Sequence, residues 1–483
     1  MSINTTIKTI QDIMRQDAGV DGDAQRISQL TWLLFLKIFD DREAEYELDP
    51  RYASPIPAAL RWRNWAANEE GITGDELLDF IEDQLFATLK DPEKMLAVGN
   101  DRGDPRARLV HEVFADSYNY MKSGTLIRQV INRINQIDFT SGADRHLFND
   151  LYEKILRDLQ SAGNAGEYYT PRPVTQFMVD MTDPQLGDIM LDPAGGTGGF
   201  MICTLEHVRQ HYVKDGADEA LLQRSIRGIE KKPLPHLLCT TNLILHDVEV
   251  PQVVRDNALT RRPYKDYGPD DQVDVILTNP PFGGMEEPGV EQNFPTKFQT
   301  KETADLFLAM IVKLLKDGGK GGIVLPDGSL FGEGVKTRLK EHLLETCNLH
   351  TIVRLPKGVF NPYTGINTNL LFFTKGTPTT EVWYFEHPMP SDRKQYSKTR
   401  PIDIKEFDLE KTWWPARVET DYAWRVSIDE IKARNYNLDI KNPNIEAVLH
   451  GDPAKLLAKY QAHLSEIAAL RATLKAELEA ALR

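Results

Sequence analysis

Hydrophobic positions early in the chain recur every three or four residues. Ile27, Leu30, Leu34 and Ile38 do so behind a cap candidate at Asp23, and Leu77, Phe80, Ile81 and Leu85 behind another at Asp75. This spacing predicts amphipathic helices from Ile7 to about Leu151. From about Glu153 the pattern changes to short apolar runs separated by helix-length stretches, as in a doubly wound α/β sheet. The runs are Ile189-Met190-Leu191, Ser225–Glu230, Val273–Thr278, Gly321–Leu325, His350–Arg354 and Leu370–Phe373. Near the end, Asp452-Pro453 is a cap followed by a first-turn proline, and Leu457, Tyr460, Leu464, Ile467, Leu474 and Leu478 then form one stripe broken by Arg471. Spacings of three, four and seven suit a coiled-coil seam, against either the chain's own body or a partner. Three regions result: 1–152 helical, 153–440 alternating strand and helix, and 441–483 a helical tail.

Several strand ends carry chemistry that belongs together. Asn279-Pro280-Pro281-Phe282 directly follows the run Val273–Thr278. An NH2 conjugated to a ring or carbonyl is a poor nucleophile, so a site that alkylates it must draw both N–H hydrogens toward acceptors and leave the third direction open. The Asn279 side-chain oxygen and the Pro280 carbonyl can be those acceptors. Pro280 and Pro281 stiffen the loop, and Phe282 offers an apolar face to a flat ring. The same string is also ordinary turn chemistry at a strand end. Upstream, Asp192-Pro193-Ala194-Gly195-Gly196-Thr197-Gly198-Gly199-Phe200 reads as a strand end, a glycine turn and a helix start running through Met201, Leu205 and Val208. Glycines let a backbone approach a ligand closely, and a helix start adds N–H donors. The spacing is neither that of a dinucleotide fingerprint nor that of a phosphate-binding P-loop. Asp192 before the turn suits a cationic ligand group, and Glu230 at the tip of the next strand suits paired ribose hydroxyls. S-adenosylmethionine carries both an ammonium and a ribose.

On these residues, together with Gly166-Glu167-Tyr168-Tyr169-Thr170-Pro171-Arg172-Pro173-Val174, the chain resembles the modification subunits of type I restriction-modification systems. These are amino-adenine DNA methyltransferases, and the resemblance runs over most of the chain. It implies a Rossmann-like S-adenosylmethionine-dependent methyltransferase core with an N-terminal all-α domain and a C-terminal helical tail. It further implies that Glu167, Tyr168, Tyr169, Thr170, Pro171 and Arg172 close over the methionine part of the cofactor. Asp192 with Gly195, Gly196, Thr197, Gly198 and Gly199 matches the family's glycine motif, Glu230 its ribose acid, and Asn279 to Phe282 its catalytic loop. Asp256, in Arg255-Asp256-Asn257-Ala258-Leu259, falls where the family often contacts the cofactor's adenine, with Asn257 as the alternative.

Charge changes the picture of the partners. With 57 basic and 72 acidic residues the net charge is −15, which disfavours unaided binding to duplex DNA. The resemblance implies a separate specificity subunit that reads the sequence, two copies of this chain on each, and a restriction/translocase subunit. Local basic groups at Lys231-Lys232, Arg261-Arg262-Lys265, Lys297 with Lys301, and Arg393-Lys394 are phosphate candidates, although most such clusters are solvated surface. Cys203, Cys239 and Cys347 are scattered, which indicates neither disulfides nor a metal site. No stretch approaches the ~20 apolar residues of a membrane span, and a cytoplasmic location is expected.

Two rival functions and two local readings belong beside this one. Protein glutamine methyltransferases also act on a planar NH2 and share Asn-Pro-Pro, usually with Tyr; Phe282 and the large N-terminal region favour DNA. A non-catalytic scaffold would be expected to have lost Asn279 or Asp192. Asp327 with Glu333 and Lys336 superficially suggests a nuclease, but the Glu-to-Lys spacing is one residue too long, and Asp327 reads as a strand end and helix start. The segment from Gly283 to Thr303, rich in Gly, Pro and charge without period, is expected to be a lid.

Overall fold

The computed structural model describes residues 3–97, 104–139, 170–361, 364–397, 399–444 and 453–481. Strands β1 (Met190–Asp192), β2 (Ile226–Glu230), β3 (Gln252–Arg255), β4 (Val273–Thr278), β5 (Leu315–Pro326), β6 (Cys347–Arg354), β7 (Thr368–Lys375), β8 (Glu381–Glu386) and β9 (Ala423–Ser427) form one sheet. Its order is β3-β2-β1-β4-β5-β7-β6-β8-β9. Strands β1 to β5 run parallel, β7 runs antiparallel to both β5 and β6, and β9 closes the far edge antiparallel to β8. Every expected strand lies within or overlaps an observed one, and β3, β8 and β9 are additional. Chain order reverses between β1 and β4, so the ends of β1, β2, β3 and β4 share one edge at the switch point where such sheets bind ligands.

The strands are continuous apolar runs because both faces of the parallel part are covered. Met190, Val275, Ile276, Leu277, Ile323 and Val324 are each at most 1% exposed. Met201, Leu205 and Val208 of the helix Gly199–His211 are buried on the sheet as the periodicity requires. Gly228 of β2 makes that packing possible, since a Cβ there would stand 2.6 Å from the Met201 sulfur.

The N-terminal helices include Ile3–Met14, Asp23–Tyr46, Pro105–Ala115 and Gly124–Ile134, with Gly74–Asp79 running into a wider π turn at Phe80–Phe86. Their caps lie one or two residues earlier than the sequence suggested: Gly22 and Thr73 occupy the cap positions, and Asp23 and Asp75 fall in the first turns. The core formed by Trp32, Phe35, Leu77, Ile81, Phe114 and Ile131 is completed by Leu237, Leu238, Ile244 and Leu245 from the helix Pro233–Leu245. At about 1.5–3 kcal/mol per large buried side chain, those four residues alone bind the helices firmly to the sheet's own layer. Ion pairs Arg42–Asp247, Arg255–Asp116 and, at 3.0 Å, Arg106–Glu249 flank the junction.

Residues up to Ile440 form one compact unit, and Lys441–Arg483 form a second. The second contains the 29-residue helix Pro453–Ala481; the expected cap Asp452 lies outside the described residues. The expected lid is not an irregular loop. Residues 283–303 form tight turns pinned by buried Val290, Phe294 and Phe298, with Met285 bridged to Glu302. Apolar residues at those three positions, hidden among Gly, Pro and charge, supply the anchors. Among the described residues no helix is long and apolar enough to cross a membrane.

Candidate active site

The glycine turn is organised by two carboxylates. Asp192 ends β1 and is 1% exposed; its Oδ1 accepts from the Ala194 N–H at 3.1 Å and from the Thr278 hydroxyl at 2.7 Å. Thr278 ends β4 immediately before Asn279, so one hydrogen bond ties the turn to the strand that carries Asn279-Pro280-Pro281-Phe282. Thr278 was missed in the sequence, although a polar residue closing a buried strand was a usable signal. Glu230, at the end of β2, accepts from the Gly196 N–H at 2.8 Å and the Lys232 N–H at 2.7 Å. Gly198 caps the following helix at φ +87°, and a Cβ there would stand 3.0 Å from the Cys239 sulfur, so glycine is required. The Thr197 carbonyl accepts from Asn242 at 3.1 Å, on the helix that carries part of the N-terminal core.

Burial pushes Asp192 up to about 7, and burial with the neighbouring Asp192 charge pushes Glu230 up to about 7. Hydrogen bonds from Thr278 and Ala194, and from Lys232 and Gly196, pull the other way without prevailing. In an unfolded chain both titrate near 4. Their raised folded values therefore contribute stability that is full below about 4 and lost as pH rises through about 7. A bound cation reverses this preference by favouring the charged carboxylates. Stabilisation of the protein by S-adenosylmethionine should accordingly be larger at pH 8 than at pH 6 in thermal melts, and Asp192→Asn should flatten that difference. Equal stabilisation of the parent protein at both pH values would separate these carboxylates from the cofactor.

Asp256 follows β3, its N–H donating to the Glu230 carbonyl at 3.0 Å. Its side chain accepts from the Asn257 N–H at 2.8 Å and lies 3.9 Å from Arg261. Asn257 turns its oxygen onto the Leu259 N–H at 3.0 Å, so both candidate side chains already accept a backbone hydrogen bond.

Asn279 follows β4 at the same edge. Its Nδ2 donates to the Thr170 hydroxyl at 2.8 Å, while its Oδ1 is buried without a hydrogen-bond partner among the described residues. Such an acceptor costs about 1–3 kcal/mol unless a donor arrives. Phe282 departs from the expectation of an open stacking face: it is 2% exposed, within the core, with the Phe360 ring edge-on at 6.4 Å. A base can stack on it only if that ring turns outward. Pro171 caps the helix Arg172–Thr182, and Arg172 donates to the Gly199 carbonyl at 2.8 Å, beside the glycine turn. Glu167, Tyr168 and Tyr169 lie outside the described residues.

The basic clusters are mostly paired within the chain. Lys231 lies 3.4 Å from Glu286, Arg262 2.6 Å from Asp271, Arg393 2.9 Å from Asp392, and Lys297 sits over the Phe298 ring. Cys203, Cys239 and Cys347 are buried free thiols. Asp327 opens a short helix after β5, where Asn369 donates to it at 2.8 Å, and Lys336 pairs with Asp305 and Glu302 instead.

Comparison with known proteins identifies the family. The family described as N-6 DNA Methylase matches residues 143–448, and that described as HsdM N-terminal domain matches residues 3–134. The EcoEI methylase subunit of a type I restriction enzyme from Escherichia coli is 58% identical, covering 100% of this chain and 99% of its own length. The corresponding EcoKI subunit from Escherichia coli strain K12 is 29% identical over 80% of this chain and 71% of its own. Among solved structures, a modification subunit from Vibrio vulnificus YJ016 superposes with a TM-score of 0.82 at 44% identity, covering 93% of this chain and 98% of that one. With a buried amide acceptor beside a glycine turn on a methyltransferase sheet, and relatives of this kind along its whole length, the chain belongs to the N-6 DNA methylase family as a type I modification subunit, an adenine-N6 DNA methyltransferase.

Proposed function

We propose that the protein transfers the methyl group of S-adenosylmethionine to the N6 amino group of an adenine flipped out of duplex DNA, at sites chosen by a specificity subunit. The observation that carries this is the Asn279 oxygen, buried and without a hydrogen-bond partner among the described residues, at the sheet edge that also holds Asp192 and Glu230. The residues fit the cofactor: Glu230 offers a carboxyl to hydroxyls, Asp192 is a buried carboxyl beside the turn that a bound cation would draw into its charged form, and Gly195 to Gly199 leave room for close approach. When bound, the cofactor supplies an electrophilic methyl on a sulfonium. Asn279 and the Pro280 carbonyl accept the two amino hydrogens, which turns the nitrogen lone pair away from the ring. No strong base is needed, because the nitrogen loses a proton readily once it is cationic.

A stacked adenine cannot reach Asn279. Flipping costs a few kcal/mol, which the two acceptors and an outward-turned Phe282 offset. Two copies of this chain on each specificity subunit, joined through residues 441–483, and an added restriction/translocase subunit complete the assembly we envisage. Membership of the DNA methylase family favours this reading over glutamine methylation and over a scaffold role. The test is to combine the chain with its co-encoded specificity protein, duplex DNA and S-adenosylmethionine, and to map methylated bases by mass spectrometry. N6-methyladenine at one recurrent sequence is expected; methylation of cytosine or of protein glutamine would refute the proposal.

A further inference from the structure

The family resemblance implies that Thr170 is a cofactor contact, but its hydrogen bond leads elsewhere. Its hydroxyl accepts the Asn279 Nδ2–H at 2.8 Å. A side-chain amide presents an acceptor on one side and a donor on the other, and rotation by half a turn about its last bond exchanges them. Only one orientation suits an incoming amino group, since a turned Asn279 would set donor against donor. Nothing in the Asn-Pro-Pro-Phe loop fixes this choice, because both prolines lack an N–H. A hydroxyl can accept or donate, so the bond to Thr170 anchors the position and plane of the amide; in the orientation seen, Nδ2 meets the hydroxyl and Oδ1 is buried with no hydrogen-bond partner among the described residues.

We infer that Thr170 is a positioning residue for the Asn279 amide, anchoring it where its oxygen can face the amino group. The assignment rests on the reading of Asn279 as the amino acceptor. Thr170 stands just before the helix Arg172–Thr182, and Arg172, two residues on, donates to the Gly199 carbonyl at 2.8 Å. Three consecutive residues therefore reach from the catalytic amide to the start of the glycine-turn helix. A segment braced at both ends keeps the acceptor amide in register with the methyl donor's binding turn, since neither end can shift without straining the other.

The experiment uses the full chain assembled with its specificity partner. Thr170→Val removes the hydroxyl with little change of shape, and Thr170→Ser restores it. Expected for Thr170→Val is a fall in kcat of about tenfold or more, smaller than the loss on removing Asn279 itself. S-adenosylmethionine affinity measured by calorimetry should stay within about twofold, as expected for an interaction realised in the transition state. Thr170→Ser should recover most of the rate. A matching loss of cofactor affinity in Thr170→Val would make Thr170 a cofactor contact and overturn the assignment, as would an unchanged kcat or a failure of Ser to rescue a folded protein. If Thr170→Val does not fold, Thr170→Ala judged by the same kcat and affinity readings decides the matter. Full activity of Asn279→Ala would instead remove the catalytic reading on which this stands.

Discussion

Replacing Asn279 with Ala should lower methyl transfer by about 100- to 1,000-fold while leaving S-adenosylmethionine affinity within about twofold. The amino nitrogen gains positive charge only as the methyl arrives, so an acceptor on its hydrogens stabilises the transition state far more than the bound ground state. Asn279 is placed for this role. Among the described residues its oxygen has no competing hydrogen bond to break, and its amide is held from behind by Thr170. Removing the side chain relieves a buried unsatisfied acceptor and also loses the bond to Thr170, so the two effects offset and the variant should melt close to the parent protein. Single-turnover methylation of a duplex target by the assembled complex measures the chemical step directly. An unimpaired rate would mean that the catalytic loop is elsewhere, and a parallel collapse of cofactor binding would mean that Asn279 supports the site instead of the reaction.

The parts of the site legible in the sequence were those where backbone chemistry dictates residue type. Gly198 must take a positive φ against Cys239, two prolines must stiffen the loop after β4, and carboxylates at strand ends must sit on one edge of a parallel sheet. Such constraints leave a local mark. Side-chain pairing leaves much less, because it joins residues far apart in the chain. The bond from Thr278 to Asp192 spans 86 positions, and that from Asn279 to Thr170 spans 109. Phe282 illustrates the same limit: an aromatic after Pro-Pro reads as a stacking surface, yet Phe360, remote in sequence, places it in the core. Strand β3, Gln252-Val253-Val254-Arg255, has only two apolar residues and did not register as a run, whereas β8, with Val382, Trp383, Tyr384 and Phe385, was rich in strand formers and could have been read. The shared core between the N-terminal helices and Pro233–Leu245 was hidden for another reason. That helix is buried nearly all round, so its periodicity does not reveal which face meets which neighbour.

Deleting residues 453–481 should weaken association with the specificity subunit by about 100-fold or more while leaving cofactor binding by residues 1–440 intact. The helix has Leu456, Leu457, Tyr460, Leu464, Ile467, Leu470, Leu474 and Leu478 each between 47% and 64% exposed. Even four of those side chains, already about half covered and so gaining about 0.75–1.5 kcal/mol each on burial, exceed the roughly 2.7 kcal/mol that a 100-fold change in affinity requires. A span of about 44 Å offers room for an extended helical seam. The net charge of −15 supplies the second argument, since a chain that repels phosphates gains access to DNA most readily through a partner that carries the recognition. Every proposed cofactor and catalytic residue lies before residue 283, within the unit that ends at Ile440, so truncation should spare their geometry. Light scattering after size exclusion of truncated and full-length chains with the specificity protein, alongside calorimetry with S-adenosylmethionine, separates the two effects. Undiminished complex formation would show that the stripe does not serve assembly, and sequence-specific DNA binding by the isolated full-length chain would defeat the claim that recognition is delegated.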